Sequence, residues 1–264
     1  MNDRWTHGLA WLAALLGLTL ALSLFAPARW LGTALAWGTH DQVRLVNTRG
    51  SVWQGRGDLL LTGGQGSRTE SALPQGLRWR IRPSWTEGRP ALSVQLETPC
   101  CSTRAVQLHG IPGWKGFALK VAAFESQWPA VLLSGLGTPW NTLRPEGQLV
   151  LQSGGLSIQR LAGRWALQGS LRIDALDLTS RLSTLRPLGS YRVNLEATAD
   201  GSSAQLQLST LRGGLQLQGQ GQWIAGRLRF QGEAQAAPGR ERALENLLNI
   251  IGRRQGPRSI LKVG

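Results

Sequence analysis

From residue 43 onward the chain is written in short runs in which apolar and polar side chains alternate, and a period of two makes a strand whose residues i and i+2 share one face. The cleanest run is Leu77-Arg78-Trp79-Arg80-Ile81-Arg82, ahead of Pro83. It turns Trp79 and Ile81 toward a core and sets Arg78, Arg80 and Arg82 on the opposite face, roughly 7 Å apart. Leu92–Leu96 repeats the pattern, and Gly214–Trp223 alternates Leu with Gln to give one apolar and one neutral polar face. The same grammar predicts strands over Gln148–Gln152, Leu156–Gln159, Arg164–Leu178, Tyr191–Ala197, Ala204–Ser209 and Arg227–Ala234. Between them stand Ser153-Gly154-Gly155, Asp200-Gly201, Arg212-Gly213-Gly214 and Ala225-Gly226, each a hairpin signal. The fold class is therefore mainly β: a curved, largely antiparallel meander, shaped as a roll or half-open groove because glycines inside strands permit twist and bending. Two helical interruptions are expected, a short one near Pro129–Leu136 and a C-terminal one from about Arg240 to Ile251. In the second, Leu244, Leu247, Leu248 and Ile251 share a face and Gly252 supplies the stop. Ser259–Val263 then returns as a last strand.

The meander starts in Val43–Gly57. Val43, Leu45 and Val46 lead into a Gly50-Ser51 turn signal, Val52-Trp53-Gln54 restarts with β-favouring residues, and Gly55 and Gly57 punctuate the strand that reaches Thr62. Trp53 is the largest apolar body in the stretch, and flanking glycines let another group lie close to it, so it is expected in the core.

Ahead of the sheet, Leu9–Ala26 is uncharged and rich in Leu, Ala, Trp and Phe, long enough for a spanning helix. Trp5 and Trp30 bracket it at roughly 37 Å, the separation of the two interfacial belts of a bilayer. The competing reading is a cleaved signal peptide with Ala26-Pro27-Ala28 as its site; the run exceeds a usual signal core of about 7–15 residues, which favours the anchor. Both readings export the rest of the chain. Pro27 opens a second helix to about Trp37, either lying on the outer leaflet of the inner membrane or packed on the sheet. The expected organisation is a cytoplasmic stub and anchor over 1–27, a juxtamembrane helix and linker over 28–41, and a periplasmic β-rich domain over 42–264.

Lys and Arg total 29 against 15 Asp and Glu, a net charge of +14, nearly all from arginine since the lysines are only Lys115, Lys120 and Lys262. A nucleic-acid partner is not expected, because the arginines are scattered singly along polar strand faces without a run or a recognition motif. Three like charges in a row, as at Arg78, Arg80 and Arg82, call instead for an acidic partner surface or an anionic headgroup layer. Catalytic chemistry is thin. His40 and His109 lack a base or metal constellation, Asp174 and Asp177 fall on opposite strand faces, and Gly63-Gly64-Gln65-Gly66 lacks the Lys-Ser/Thr of a phosphate cradle. No enzyme activity, cofactor or metal is expected. Cys100 and Cys101 are the only cysteines, and in an exported chain they are expected to close a vicinal disulfide that braces a loop.

The basic start, the Leu9–Ala26 anchor with Pro27, and Asn47-Thr48-Arg49-Gly50-Ser51-Val52-Trp53-Gln54-Gly55 together resemble the type II secretion system protein N (general secretion pathway protein N) family of Gram-negative bacteria. Leu77–Pro83, Leu143–Gly147, Pro187–Tyr191 and Leu215–Gly219 follow in the family's order, whereas Cys100-Cys101 stands outside its pattern. The resemblance implies a single-pass inner-membrane protein with a periplasmic β-rich domain, a non-enzymatic accessory in the export of folded proteins across the outer membrane. Its implied partners are other secretion components (the inner-membrane platform, the pseudopilus or secretin-linking proteins), inner-membrane lipid and the exoprotein. A different class also fits: repeated Leu-x-Leu-x-Gly strands after one N-terminal span resemble AsmA-like proteins, which handle lipid in a curved apolar groove.

Overall fold

The computed structural model of the protein describes residues 24–264 apart from 115, 162, 225 and 226, together with 11, 13, 14, 17 and 21. Its strands are β1 (Val43–Gly50), β2 (Gln54–Thr62), β3 (Glu70–Ala72), β4 (Leu77–Thr86), β5 (Arg89–Glu97), β6 (Val106–Gly113), β7 (Gly116–Val121) and β8 (Phe124–Pro129). They continue as β9 (Glu146–Leu161), β10 (Arg164–Thr179), β11 (Gly189–Ala197), β12 (Ser203–Gly213), β13 (Leu215–Ile224), β14 (Arg227–Ala236), β15 (Arg253–Gln255) and β16 (Arg258–Val263). Helices α1 (Ala28–Gly38), α2 (Trp140–Leu143) and α3 (Glu241–Ile251) and a 3₁₀ helix over Ala130–Leu136 complete the described elements.

All the described strands belong to one antiparallel sheet of 16, in the order β1-β2-β4-β5-β6-β7-β9-β10-β11-β12-β13-β14-β16-β15, with β3 beside β2 and β8 beside β9. The sheet is open: β1 and β15 are its ends. The alternating runs become strands of the expected kind, and the pleat puts Trp79 and Ile81 on the covered face with Arg78, Arg80 and Arg82 on the other. β4 runs on through Pro83 to Thr86. Pro83 pairs with Leu92 of β5, while β2 pairs with β4 only up to Arg80, so the missing N–H of Pro83 faces no neighbour.

Ser153-Gly154-Gly155 is not a hairpin. β9 passes straight through it as one strand of 16 residues and changes neighbour there, pairing with β8 over 148–153 and with β7 over 156–161. Gly155 takes φ +127°, a value ordinary side chains avoid. The Ser153 hydroxyl donates to the Ser170 carbonyl at 2.7 Å and accepts the Gly155 N–H at 3.1 Å, which holds the bend and its register shift in β10.

Three hydrophobic clusters line the covered face. Leu244, Leu247 and Leu248 of α3 meet Leu188, Tyr191, Leu215 and Ala234. At about 1.5–3 kcal/mol per buried leucine, this helix is a main fastening of the C-terminal end. Gly252 ends α3 in an extended conformation (φ −165°) that leads directly into β15, not as a left-handed cap. At the other end α1 packs Ala28, Leu31 and Leu35 on Leu45 and Trp79, while Trp30 and Trp37 point outward. α1 is thus packed on the sheet, the second of the two positions open to it. The third cluster joins Leu59 and Leu61 of β2, Leu73, Cys101, Leu132 and Trp128 of β8, and so draws the first part of the sheet into a curl. The expected span over Leu9–Ala26 lies for the most part outside the described residues; among those described, no helix is long and apolar enough to cross a membrane.

Candidate functional site

The Gly50–Gly55 motif forms the tip of the β1–β2 hairpin, closed by the Ser51 N–H donating to the Gln54 carbonyl at 2.9 Å. Its function in the fold is to receive Trp79. The Trp79 indole N–H donates to the carbonyls of Val52 (3.0 Å) and Ser51 (3.3 Å), and the ring lies so near Gly55 that a Cβ there would stand 2.5 Å from it. Glycine is required by that approach. Trp79 is 3% exposed. Trp53, expected in the core, is instead half-buried in the turn, outside either strand, and its carbonyl accepts the Ile81 N–H at 2.6 Å. The alternation around Val52-Trp53 is interrupted by the turn, so of the two tryptophans expected in the core only Trp79 is buried there.

The same hairpin assembles a basic surface larger than the strip on β4. Arg49 pairs with Arg56 across β1 and β2, and Arg56 with Arg78 across β2 and β4. Directly paired residues project from the same face, so three arginines stand in a row on adjacent strands about 4.8 Å apart, with Arg80 next along β4. They line one groove of ≈ 450 Å³, bordered by Gln54, Gln95 and Glu97. Arg49, Arg56 and Arg78 are exposed and Arg80 is half-buried. Among the described residues none of the four is in a salt bridge, and the buried Arg80 Nε has no hydrogen-bond partner. Arg82, opposite Ser93, lies outside this groove.

The carboxylates singled out by the sequence serve structure. Asp174 accepts two hydrogen bonds from Arg192 (both 2.7 Å), and that guanidinium holds its carboxyl below the usual carboxylate range against the opposing effect of burial. Asp177 accepts from Arg212 at 2.7 Å and from the Ser190 hydroxyl at 3.3 Å. Cys100 and Cys101 are joined as a disulfide, and Cys101 is buried in the cluster that draws β2 toward β8. Among the described residues no group of three or more His, Cys, Asp or Glu is placed to hold a metal ion.

Two larger surfaces were not foreseen in detail. A polar cleft of ≈ 1290 Å³ opens where β6, β8, β9, β10 and β11 meet, with Gln107, Glu125, Gln152, Arg172, Asn194 and Glu196 on its walls. On the covered face, apolar residues run across strand after strand: Ile81, Val94, Leu108, Val121 and Leu156 form one cross-strand row, and Leu151, Ile173, Val193 and Leu208 another. All are half-buried. The described helices pack at β1–β3, at β9 and at β14–β16.

A family model described as "Type II secretion system (T2SS), protein N" matches residues 41–261. No curated protein and no solved structure matches the chain.

Proposed function

The chain belongs to the type II secretion system protein N family, and from that premise we propose that it is a non-catalytic scaffold subunit, anchored in the inner membrane by residues 9–26, whose periplasmic sheet binds other components of the secretion machine. Family membership gives an accessory role in type II secretion. The observation that carries the finer reading is the inequality of the two sheet ends. β15 is three residues long, fully exposed and bears Arg253 and Arg254, features that discourage pairing. β1 is eight residues long and, among the described residues, pairs with a strand on one side only, with β2. The Thr39 hydroxyl bonds the Val43 N–H and carbonyl, and Gly32 of α1 lies against the Leu45 carbonyl, so an added strand meets the edge beyond them or displaces α1. Strand addition at β1 supplies main-chain hydrogen bonds to a partner without any catalytic group. A photo-crosslinking residue at Arg44, exposed on β1, is expected to capture another secretion component in intact cells, and one at Arg254 is expected not to. Capture from 254 alone, or from neither, overturns the edge reading.

One observation favours a second reading. The apolar rows run from β4 to β12 and their side chains are half-buried, an arrangement that suits holding acyl chains in an AsmA-like groove.

A further inference from the structure

We propose that Arg49, Arg56, Arg78 and Arg80 form a binding site for the phosphodiester headgroup of an anionic phospholipid. The first ground is electrostatic. Like charges in directly opposed cross-strand positions repel one another, and here two such pairs, Arg49–Arg56 and Arg56–Arg78, share a residue. The ordinary remedy is a carboxylate within reach. Glu97 stands across from Arg78 on β5, and Asp58, two residues along β2 from Arg56, shares an adjoining groove with Arg49, Arg56 and Arg78. Neither makes a salt bridge with them, and four guanidinium groups face these two acids. The surplus of positive charge favours an added anion.

The second ground is shape. The groove is small, ≈ 450 Å³, and its arginines come from three adjacent strands toward one place. A phosphate offers several oxygens at a single centre and matches planar guanidinium forks, so convergent arginines suit it. An acidic protein surface spreads its carboxylates over a wider area and needs an extended strip, which Arg82 does not continue into the groove. The amides of Gln54 and Gln95, opposite Arg80 on either side, add neutral donors for the glycerol hydroxyls of a headgroup.

The third ground is position. The Val52 N–H donates to the Ala26 carbonyl at 2.8 Å, and Pro27 bridges Ser51. The segment preceding the sheet therefore arrives at the hairpin tip, three residues from Arg49. The choice of a lipid as the source of the phosphate rests on the membrane anchoring proposed above; the convergence of the arginines does not.

The test uses the full chain in a neutral detergent, titrated with dioleoylphosphatidylglycerol or dioleoylphosphatidylcholine and read by native mass spectrometry. Phosphatidylglycerol is expected to bind with about tenfold preference, and Arg56→Gln with Arg78→Gln to remove that preference. Arg227→Gln with Arg229→Gln, which removes the same charge far away on the sheet, is expected to leave it intact. Circular dichroism melting of both variants checks folding, and single Arg49→Gln and Arg78→Gln variants replace the double if it fails to fold. Undiminished preference in the Arg56/Arg78 variant, or equal loss in the Arg227/Arg229 control, overturns the site. Displacement of the lipid by inorganic phosphate or glycerol phosphate at equal concentration makes it a small-anion site and overturns the lipid assignment. Stronger competition by a glutamate-rich peptide overturns it in favour of a protein partner. None of these outcomes depends on where the chain resides in the cell, so the anchoring reading stands or falls separately.

Discussion

Trp79 shows how one residue ties several levels of this structure together. Its ring fills the space bared by Gly55, its N–H satisfies two carbonyls of the hairpin tip, and its body packs beneath α1 with Leu45 and Ala28. Trp79→Ala is therefore expected to destabilise the protein by about 3–5 kcal/mol, through both a cavity and two unsatisfied carbonyls. Trp53→Ala, at a half-buried turn position, is expected to cost markedly less. The denaturant midpoints of the two variants decide it: a larger loss for Trp53 would give the anchoring role to the turn tryptophan. The arginine row teaches a related lesson. Arg78, Arg80 and Arg82 were legible as a strip because alternation along one strand is local. Arg49 and Arg56 were not, because their place beside Arg78 depends on register, and β1 carries a bulge between Val46 and Arg49. A slip of one residue would have turned them to the other face.

Among the elements, those defined by period alone were read well and those defined by a change of neighbour were not. The strands from β10 to β14 follow their alternation, and α3 buries the face its leucines predicted. β9 failed as a prediction because a Ser-Gly-Gly run signals a turn in isolation, whereas here the sheet on one side of the strand ends and another strand begins. The two glycines are not equivalent. Gly155 has φ +127° and Gly154 does not, and a Cβ on Gly154 would meet nothing within 4 Å. Gly155→Ala is expected to cost about 1–3 kcal/mol in backbone strain, and Gly154→Ala to be near neutral. Equal costs at both positions, measured by equilibrium unfolding, would show that the bend does not rest on Gly155. The vicinal disulfide belongs to this scale too: two adjacent cysteines in a chain read as exported sufficed to expect it, but its place under the curl between β2 and β8 required the tertiary contacts.

At the scale of the whole molecule, one sheet has its described helices packed over its two ends and at β9, and an apolar face that continues between them. Leu171, Ile173, Val193, Leu195 and Leu206 are half-buried and belong to none of the three core clusters, so their apolar surface is not used up within the chain. Contiguous exposed apolar surface in water calls for an occupant. Under the lipid-groove reading the occupant is an acyl chain, and the outcome differs from that of a face simply packed by the protein itself. Val193→Glu with Leu206→Glu is expected to lower the glycerolipid recovered by mass spectrometry from the purified full chain severalfold, while leaving its melting temperature within a few degrees of the parent. A collapse of the melting temperature would mean that these positions are closed core, since an unpaired carboxylate is costly only where water is excluded. Unchanged lipid recovery with a folded variant would remove the acyl chain from this face, and a photo-crosslinking residue at Val193 that captured a secretion component would assign the face, like the β1 edge, to a protein.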